Sequence, residues 1–173
     1  MRLNFIGGTI AAVVLLALVV AYSTLFTVQQ TRQALVVRLG QPVRQITEPG
    51  LNVKLPLVDT VIHIDKRILD IESPAQEVIL SGQRRLVVDA FARYKIVNPL
   101  LFLQTARDEA NMRSNMGKIV NSALREVLGS VPFGTVLTTR RGELMPQITD
   151  VVITEAKPFG VEVVDVRIMR ADL

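Results

Sequence analysis

The spacing of apolar residues changes twice along this chain, and each change marks a different kind of structure. The first stretch has no polar face at all. From Leu3 to Thr31 there is no charged residue, and FIGGTIAAVVLLALVVAYSTLF, Phe5 to Phe26, is apolar all round. About 22 residues at a rise of 1.5 Å cross a hydrocarbon core of ~30 Å. The run therefore predicts a transmembrane helix over 5–26, after a short tail, 1–4. Its anchoring side chains are Phe5, Ile6, Val13, Leu16, Val19, Tyr22 and Phe26, with Phe5 at one end and Tyr22 and Phe26 at the other, where interfacial aromatics belong. A cleaved signal peptide is the competing reading, since Ala21 and Ser23 form a small-x-small pair. The apolar run nevertheless continues through Leu25, Phe26 and Val28, beyond the ~7 to 15 residues of a signal core.

Period two follows. QALVVRLG (33–40) predicts a strand closed by a glycine turn, with a short return through Val43. In TEPGLNVKLPLVDTV, Pro49-Gly50 marks a turn, and Leu51, Val53 and Leu55 alternate with Asn52 and Lys54. Pro56 then ends pairing because it has no N–H to donate, so a short edge strand is expected. TVIHIDKRILDIE (60–72) and RLVVDAFARYKIV (85–97) read as longer strands. In the second, Leu86, Val88, Ala90, Ala92, Tyr94 and Ile96 share one face. LSGQRR supplies the turn between them, with Gly82 as the left-handed residue.

After Asn98-Pro99 the period becomes helical. Asn98 is a good N-cap and Pro99 suits the first helical position, so a short helix runs through Leu103. A longer one places Met112, Met116, Ile119, Val120, Ala123, Leu124, Val127 and Leu128 on one stripe and closes at Gly129. A third covers about Arg140 to Ala156, with Leu144, Ile148, Val151 and Val152 inward. The chain ends on a strand, GVEVVDVRIMR (160–170). Strands first, helices later and one closing strand define an α+β fold.

Composition removes whole classes of chemistry. The 173 residues include no Cys, which excludes disulfides, thiolate metal sites and cysteine nucleophiles, and no Trp. The net charge of +4 includes Arg2, the only charge before Arg32, leaving +3 for the remainder. That mild, interspersed excess fits a domain beside anionic lipid and does not argue for nucleic acid. His63 is the single histidine, in a strand between Ile62 and Ile64, and no G-x-S-x-G surrounds any serine, Ser81 included. Asp65, Asp70, Glu72 and Asp89 fall on alternating strand positions, which are usually a solvated face. Arg84-Arg85 and Arg140-Arg141 read as solvated or lipid-facing pairs. No phosphate-binding loop or Ca²⁺ loop occurs, so no catalytic, cofactor or metal site is expected. Counting positive charges around the span puts Arg2 on one side against Arg32, Arg38 and Arg44 on the other, but a large domain crosses regardless of charge and the topology stays open.

Taken in order, the apolar span, TRQALVVRLGQPVR, EPGLNVKLPLVDTVIHIDKRILDIE, LVVDAFARYKIVNP and FGVEVVDVRIMR resemble the SPFH family of stomatin, prohibitin, flotillin and HflK/HflC, and within it the HflC branch. The resemblance covers nearly the whole chain and contains no catalytic motif. It implies an SPFH (prohibitin-like) domain over 27–173 with a mostly antiparallel sheet and packed helices. It also implies an amino terminus in the bacterial cytoplasm, a periplasmic domain anchored in the inner membrane, and a non-enzymatic scaffold. The implied partners are an HflK-like subunit, as hetero-oligomer, and an FtsH-like AAA protease whose substrate access it modulates.

HflC-like proteins continue past VVDVRIMR into a long charged helix, so full cage assembly is not expected of residues 1–173 by themselves. No long insertion is expected between Gly129 and Phe159. Leu51, Lys54, Leu55 and Leu57 are the expected membrane-interface residues, with the leucines toward lipid and the lysine toward headgroups. The alternative for these leucines is ordinary core packing. The alternative functions are a stomatin-like lipid-organising module without a protease partner and, last, a membrane-tethered hydrolase using His63 and a serine.

Overall fold

A computed structural model describes residues 2–81, 85–131 and 141–172. The turn assigned to Gly82 lies outside them, as do Arg84 and Arg140. The chain forms two compact units, Met1–Asp65 and Lys66–Leu173.

In the first unit, helix α1 spans Arg2–Thr24 and passes directly into β1, Leu25–Val28. The helix therefore ends two residues before the expected limit, and Phe26 is a strand residue. The hydroxyls of Ser23 and Thr24 donate back to the Val20 carbonyl, which closes the last turn. The side chains described along α1, from Ile10 to Leu18, are exposed apolar groups. Among the described residues, no helix is long and apolar enough to cross a membrane.

β2 (Arg32–Arg38) pairs antiparallel with both β3 (Gln41–Ile46) and β5 (Asp59–Asp65), while β4 (Gly50–Val53) pairs antiparallel with β1. The β2–β3 turn uses Leu39 at φ 48° and Gly40 at φ 88°. Val28, Ala34, Val36 and Ile46 form a small core closed by Phe26 and Val61.

The second unit carries β6 (Leu69–Ile79), β7 (Arg85–Ile96) and β8 (Val161–Asp172) in the order β6-β7-β8, all antiparallel. The sequence over 60–72 reads as one strand because no glycine or proline interrupts it at Lys66 and Arg67. The structure breaks it there, and β5 and β6 belong to different sheets and different units. β6 also runs on through Ser73-Pro74-Ala75, beyond the expected limit at Glu72, because a bulge between Ser73 and Gln76 absorbs the proline.

The inner face of β7 is as the alternation predicts: Leu86, Val88, Ala90, Ala92, Tyr94 and Ile96 are all buried. Against this sheet pack α3 (Glu109–Gly129), on β6, and α4 (Arg141–Ala156), on β8. The short α2, Pro99–Thr105, starts at Asn98, whose Oδ1 accepts from the Leu100 and Leu101 amides at 3.1 and 3.2 Å. Asp108 caps α3 by accepting from the Asn111 amide at 2.7 Å.

All eight predicted stripe residues of α3 are buried, and so is Asn121. The Ser73 hydroxyl donates to Asn121 Oδ1 at 2.5 Å, and one turn further on Arg125 donates to Gln76 Oε1 at 2.8 Å. Two α3 side chains four apart thus hold both ends of the β6 bulge. A buried polar pair of this kind costs little when both partners are present and much when one is removed.

Candidate membrane-facing site

The site is built where α1 ends. β1 pairs with β4 so that Leu25 lies opposite Val53 and Thr27 opposite Leu51. Alternation then sorts the ribbon: Phe26 and Val28 turn to the small core, whereas Leu25, Thr27, Leu51 and Val53 share the outer face and are exposed. The chain leaving β4 returns to the helix, since the Lys54 amide donates to the Thr24 carbonyl at 2.8 Å. That carbonyl is one of the unpaired acceptors at a helix C-terminus, so the bond fixes β4 to the point where α1 stops.

From Leu55 to Asp59 the chain makes a closed loop. The Asp59 amide donates to the Leu55 carbonyl at 3.0 Å, and Asp59 Oδ2 accepts from the Leu55 amide at 2.9 Å. Asp59 also receives Arg38 Nε on Oδ1 at 2.7 Å and Arg38 Nη2 on Oδ2 at 3.2 Å. The Arg38 guanidinium, followed by the Leu55 N–H, holds the Asp59 carboxyl below the usual carboxylate range, and the same pairing raises Arg38. With its base clamped, the loop carries Leu55, Leu57 and Val58 outward at 50, 106 and 39% exposure. Leu57 sits at φ 69°, a left-handed conformation that costs a branched residue about 1–2 kcal/mol.

The clamp makes a pH-dependent prediction. Because Asp59 titrates lower folded than unfolded, its stabilising bonds are fully present above the ordinary carboxyl value of 3.8 and are lost as pH falls through the lower folded value. The Leu55 amide resonance should shift with a midpoint below 3.8, and Asp59→Asn should give the acid-side position at neutral pH. A midpoint at or above 3.8 contradicts the clamp.

The expected interface residues Leu51, Leu55 and Leu57 are exposed, and Lys54 is half-buried among them, so none of the three leucines packs in the core. Among the expected anchors, Val13, Leu16, Val19 and Tyr22 are exposed along α1, Phe5 and Ile6 lie in α1 with side chains outside the described set, and Phe26 turns into the small core. Alternation along 51–57 made the leucines visible. Val58 and Asp59 carry no local signal and Arg38 and Arg44 enter only as charges beside the span, because their roles come from pairings between β2, β3, β4 and β5 that no local pattern encodes. Arg44, for instance, reaches across to donate to the Val53 carbonyl at 2.5 Å.

The candidate chemistry does not converge. His63 is exposed, and its ring meets the edge of Phe26 at 6.4 Å. Ser23, the only serine in that unit, is bonded back to its own helix. Asp65 stands opposite Arg32, Asp70 opposite Arg93, Glu72 opposite Phe91 and Asp89 opposite Arg170, so no two of these acids face each other across a strand pair. Among the described residues, no group of three or more His, Asp or Glu is placed to hold a metal ion.

Comparison with known proteins places this geometry. The profile of the SPFH domain / Band 7 family matches residues 26–173. Protein HflC of Haemophilus influenzae is 27% identical over 165 residues, covering 89% of this chain and 56% of its own length. The "Modulator of FtsH protease HflC" of Escherichia coli K12 is 25% identical over 150 residues, covering 82% and 45%. Stomatin-1 of Caenorhabditis elegans is 27% identical over 137 residues, covering 79% and 40%. The chain thus spans about half the length of the curated HflC relatives it matches.

Proposed function

We propose, for a chain that belongs to the SPFH domain / Band 7 family, that it is a membrane-anchored, non-enzymatic scaffold of HflC type. In this reading α1 is a single transmembrane anchor, the amino terminus lies in the bacterial cytoplasm and residues 27–173 are periplasmic. The protein associates with an HflK-like subunit and modulates an FtsH-like AAA protease. The observation that carries it is the exposed apolar rim of Leu25, Leu51, Val53, Leu55 and Leu57, tied to the end of α1 by the Lys54–Thr24 bond. Support for the anchor is the absence of charge from Leu3 to Thr31. An apolar rim at the foot of such a helix lies at headgroup depth, where burial of exposed leucines is favourable and where they would otherwise form an aggregation-prone patch.

The match to stomatin-1, at the same 27% identity as the Haemophilus influenzae HflC, favours a second reading: a lipid-organising membrane module with no protease partner. Crosslinking in native membranes followed by affinity recovery of the full chain separates the two. The HflC reading expects both an HflK-like subunit and an FtsH-like protease in the recovered complex. Recovery of this chain with lipid and copies of itself alone supports the stomatin-like module instead.

A further inference from the structure

Behind the rim lies a groove of about 300 Å³ between β2, β3 and the β4–β5 loop. Its walls are amphipathic in a particular way. Arg38, Arg44 and Lys54 line it together with Asp59, three cations against one carboxylate, for a net of +2. Val43, Val53 and Leu55 form an apolar lip that is half exposed or more. The cations are not used up by the fold. Arg38 spends one edge of its guanidinium on Asp59, Arg44 gives a single bond to the Val53 carbonyl, and the Lys54 ammonium has no hydrogen-bond or ion-pair partner among the described residues.

We infer that this groove binds the phosphate headgroup of an anionic phospholipid, with an acyl chain running along Val43, Val53 and Leu55. The inference rests on the membrane-anchored reading above and goes further by naming a ligand and its residues. A zwitterionic lipid brings its own cation into a cavity that already holds two excess positive charges, whereas an anionic lipid offsets one of them and adds no cation. Guanidinium and ammonium donors lining one groove suit phosphate oxygens. The Lys54 amide is bonded to the Thr24 carbonyl, so Lys54 lies at the end of α1, at the depth of the headgroups if α1 spans the bilayer. The two apolar residues that flank Lys54 in sequence, Val53 and Leu55, give the lipid its chain contact in the same place.

The test is native mass spectrometry of the full chain in detergent with equimolar phosphatidylglycerol and phosphatidylcholine. The wild-type chain should carry phosphatidylglycerol in clear excess. Lys54→Gln, which breaks no bond in the fold, should reduce that excess about five-fold, the effect of one cation near a lipid surface. Lys54→Arg should keep it. Arg85→Gln removes the same charge from the other unit, where Arg85 pairs with Glu77, and should leave it unchanged.

Equal uptake of the two lipids by the wild type overturns the inference. So does an unchanged excess in Lys54→Gln, or an equal fall in Arg85→Gln, which would make the attraction diffuse. If millimolar inorganic phosphate strips the lipid as completely as Lys54→Gln does, the groove is a phosphate site and the lipid assignment falls. Alkaline carbonate extraction of native membranes keeps the two layers apart. A chain that resists extraction but shows no lipid preference loses only the groove, whereas a chain that is extracted loses the anchor reading, and the groove assignment with it.

Discussion

Leu124→Asp should abolish cooperative folding of the second unit, while Arg125→Asp, one residue further on, should leave it folded. Leu124 is 1% exposed in the middle of the α3 stripe. Removing its side chain forfeits about 2–5 kcal/mol of packing. The carboxylate put in its place has no partner in the surrounding shell of aliphatic groups, which costs several kcal/mol more. Together these are comparable to the whole stability of a typical domain, about 5–15 kcal/mol. Arg125 projects to the surface, and its loss removes one exposed hydrogen bond to Gln76, worth about 1 kcal/mol. Circular dichroism melts of the two variants check this, and equal midpoints would contradict the assignment of the α3 inner face.

Gly160→Ala should be the second most damaging single change. Gly160 sits between the short 3-10 turn Lys157–Phe159 and β8, at φ 71°, and its carbonyl receives the Val97 and Asn98 amides at 3.0 and 2.9 Å. It is the stitch that joins the end of β7 to the start of β8. A Cβ there would lie 2.6 Å from the Asn98 carbonyl oxygen and 2.8 Å from Leu101 Cβ, and the first of these is backbone that cannot step aside. The left-handed conformation adds about 1–2 kcal/mol and the overlap about 1–3 kcal/mol. Since Asn98 also caps α2, the strain spreads into that helix. Gly117→Ala is the control: the new Cβ would meet only Ile71 Cδ1, at an ordinary 3.8 Å, and a mid-helix alanine should stabilise by up to about 1 kcal/mol. Opposite shifts of the melting temperature are expected, downward for Gly160→Ala and upward for Gly117→Ala.

What was legible in this sequence is what a single element determines for itself. The β7 alternation and the α3 stripe bury the residues their periods select, and Asn98-Pro99 starts α2 because cap and first-turn chemistry are local. The break between β5 and β6 carries no glycine or proline; its one trace is three successive charges, Asp65-Lys66-Arg67, across which the apolar positions shift from Ile62 and Ile64 to Leu69 and Ile71, and the two strands join different sheets. The length of β6 was hidden for a related reason. Ser73-Pro74-Ala75 has turn composition, and only the partners 48 and 49 residues away on α3, Asn121 and Arg125, hold it in the sheet. The same division runs through the candidate site. Leu51, Leu55 and Leu57 stood out by alternation beside a proline, but the Arg38–Asp59 clamp that presents them depends on the pairing of β2 with β5.

The rim at the foot of α1 is expected to rest in the bilayer interface. This chain contains no tryptophan, so a single introduced indole reports its own surroundings without background. Leu57→Trp places it on the fully exposed loop tip, Leu16→Trp places it along α1, and Val164→Trp, on the exposed side of β8, serves as the aqueous reference. In membranes containing lipids brominated along the acyl chain, the account predicts strong quenching and blue-shifted emission for Leu16→Trp. Leu57→Trp should show intermediate quenching with a clear blue shift, strongest for bromines nearest the headgroups, and Val164→Trp should show neither. Emission from Leu57→Trp that matches Val164→Trp and ignores brominated lipid would contradict the account.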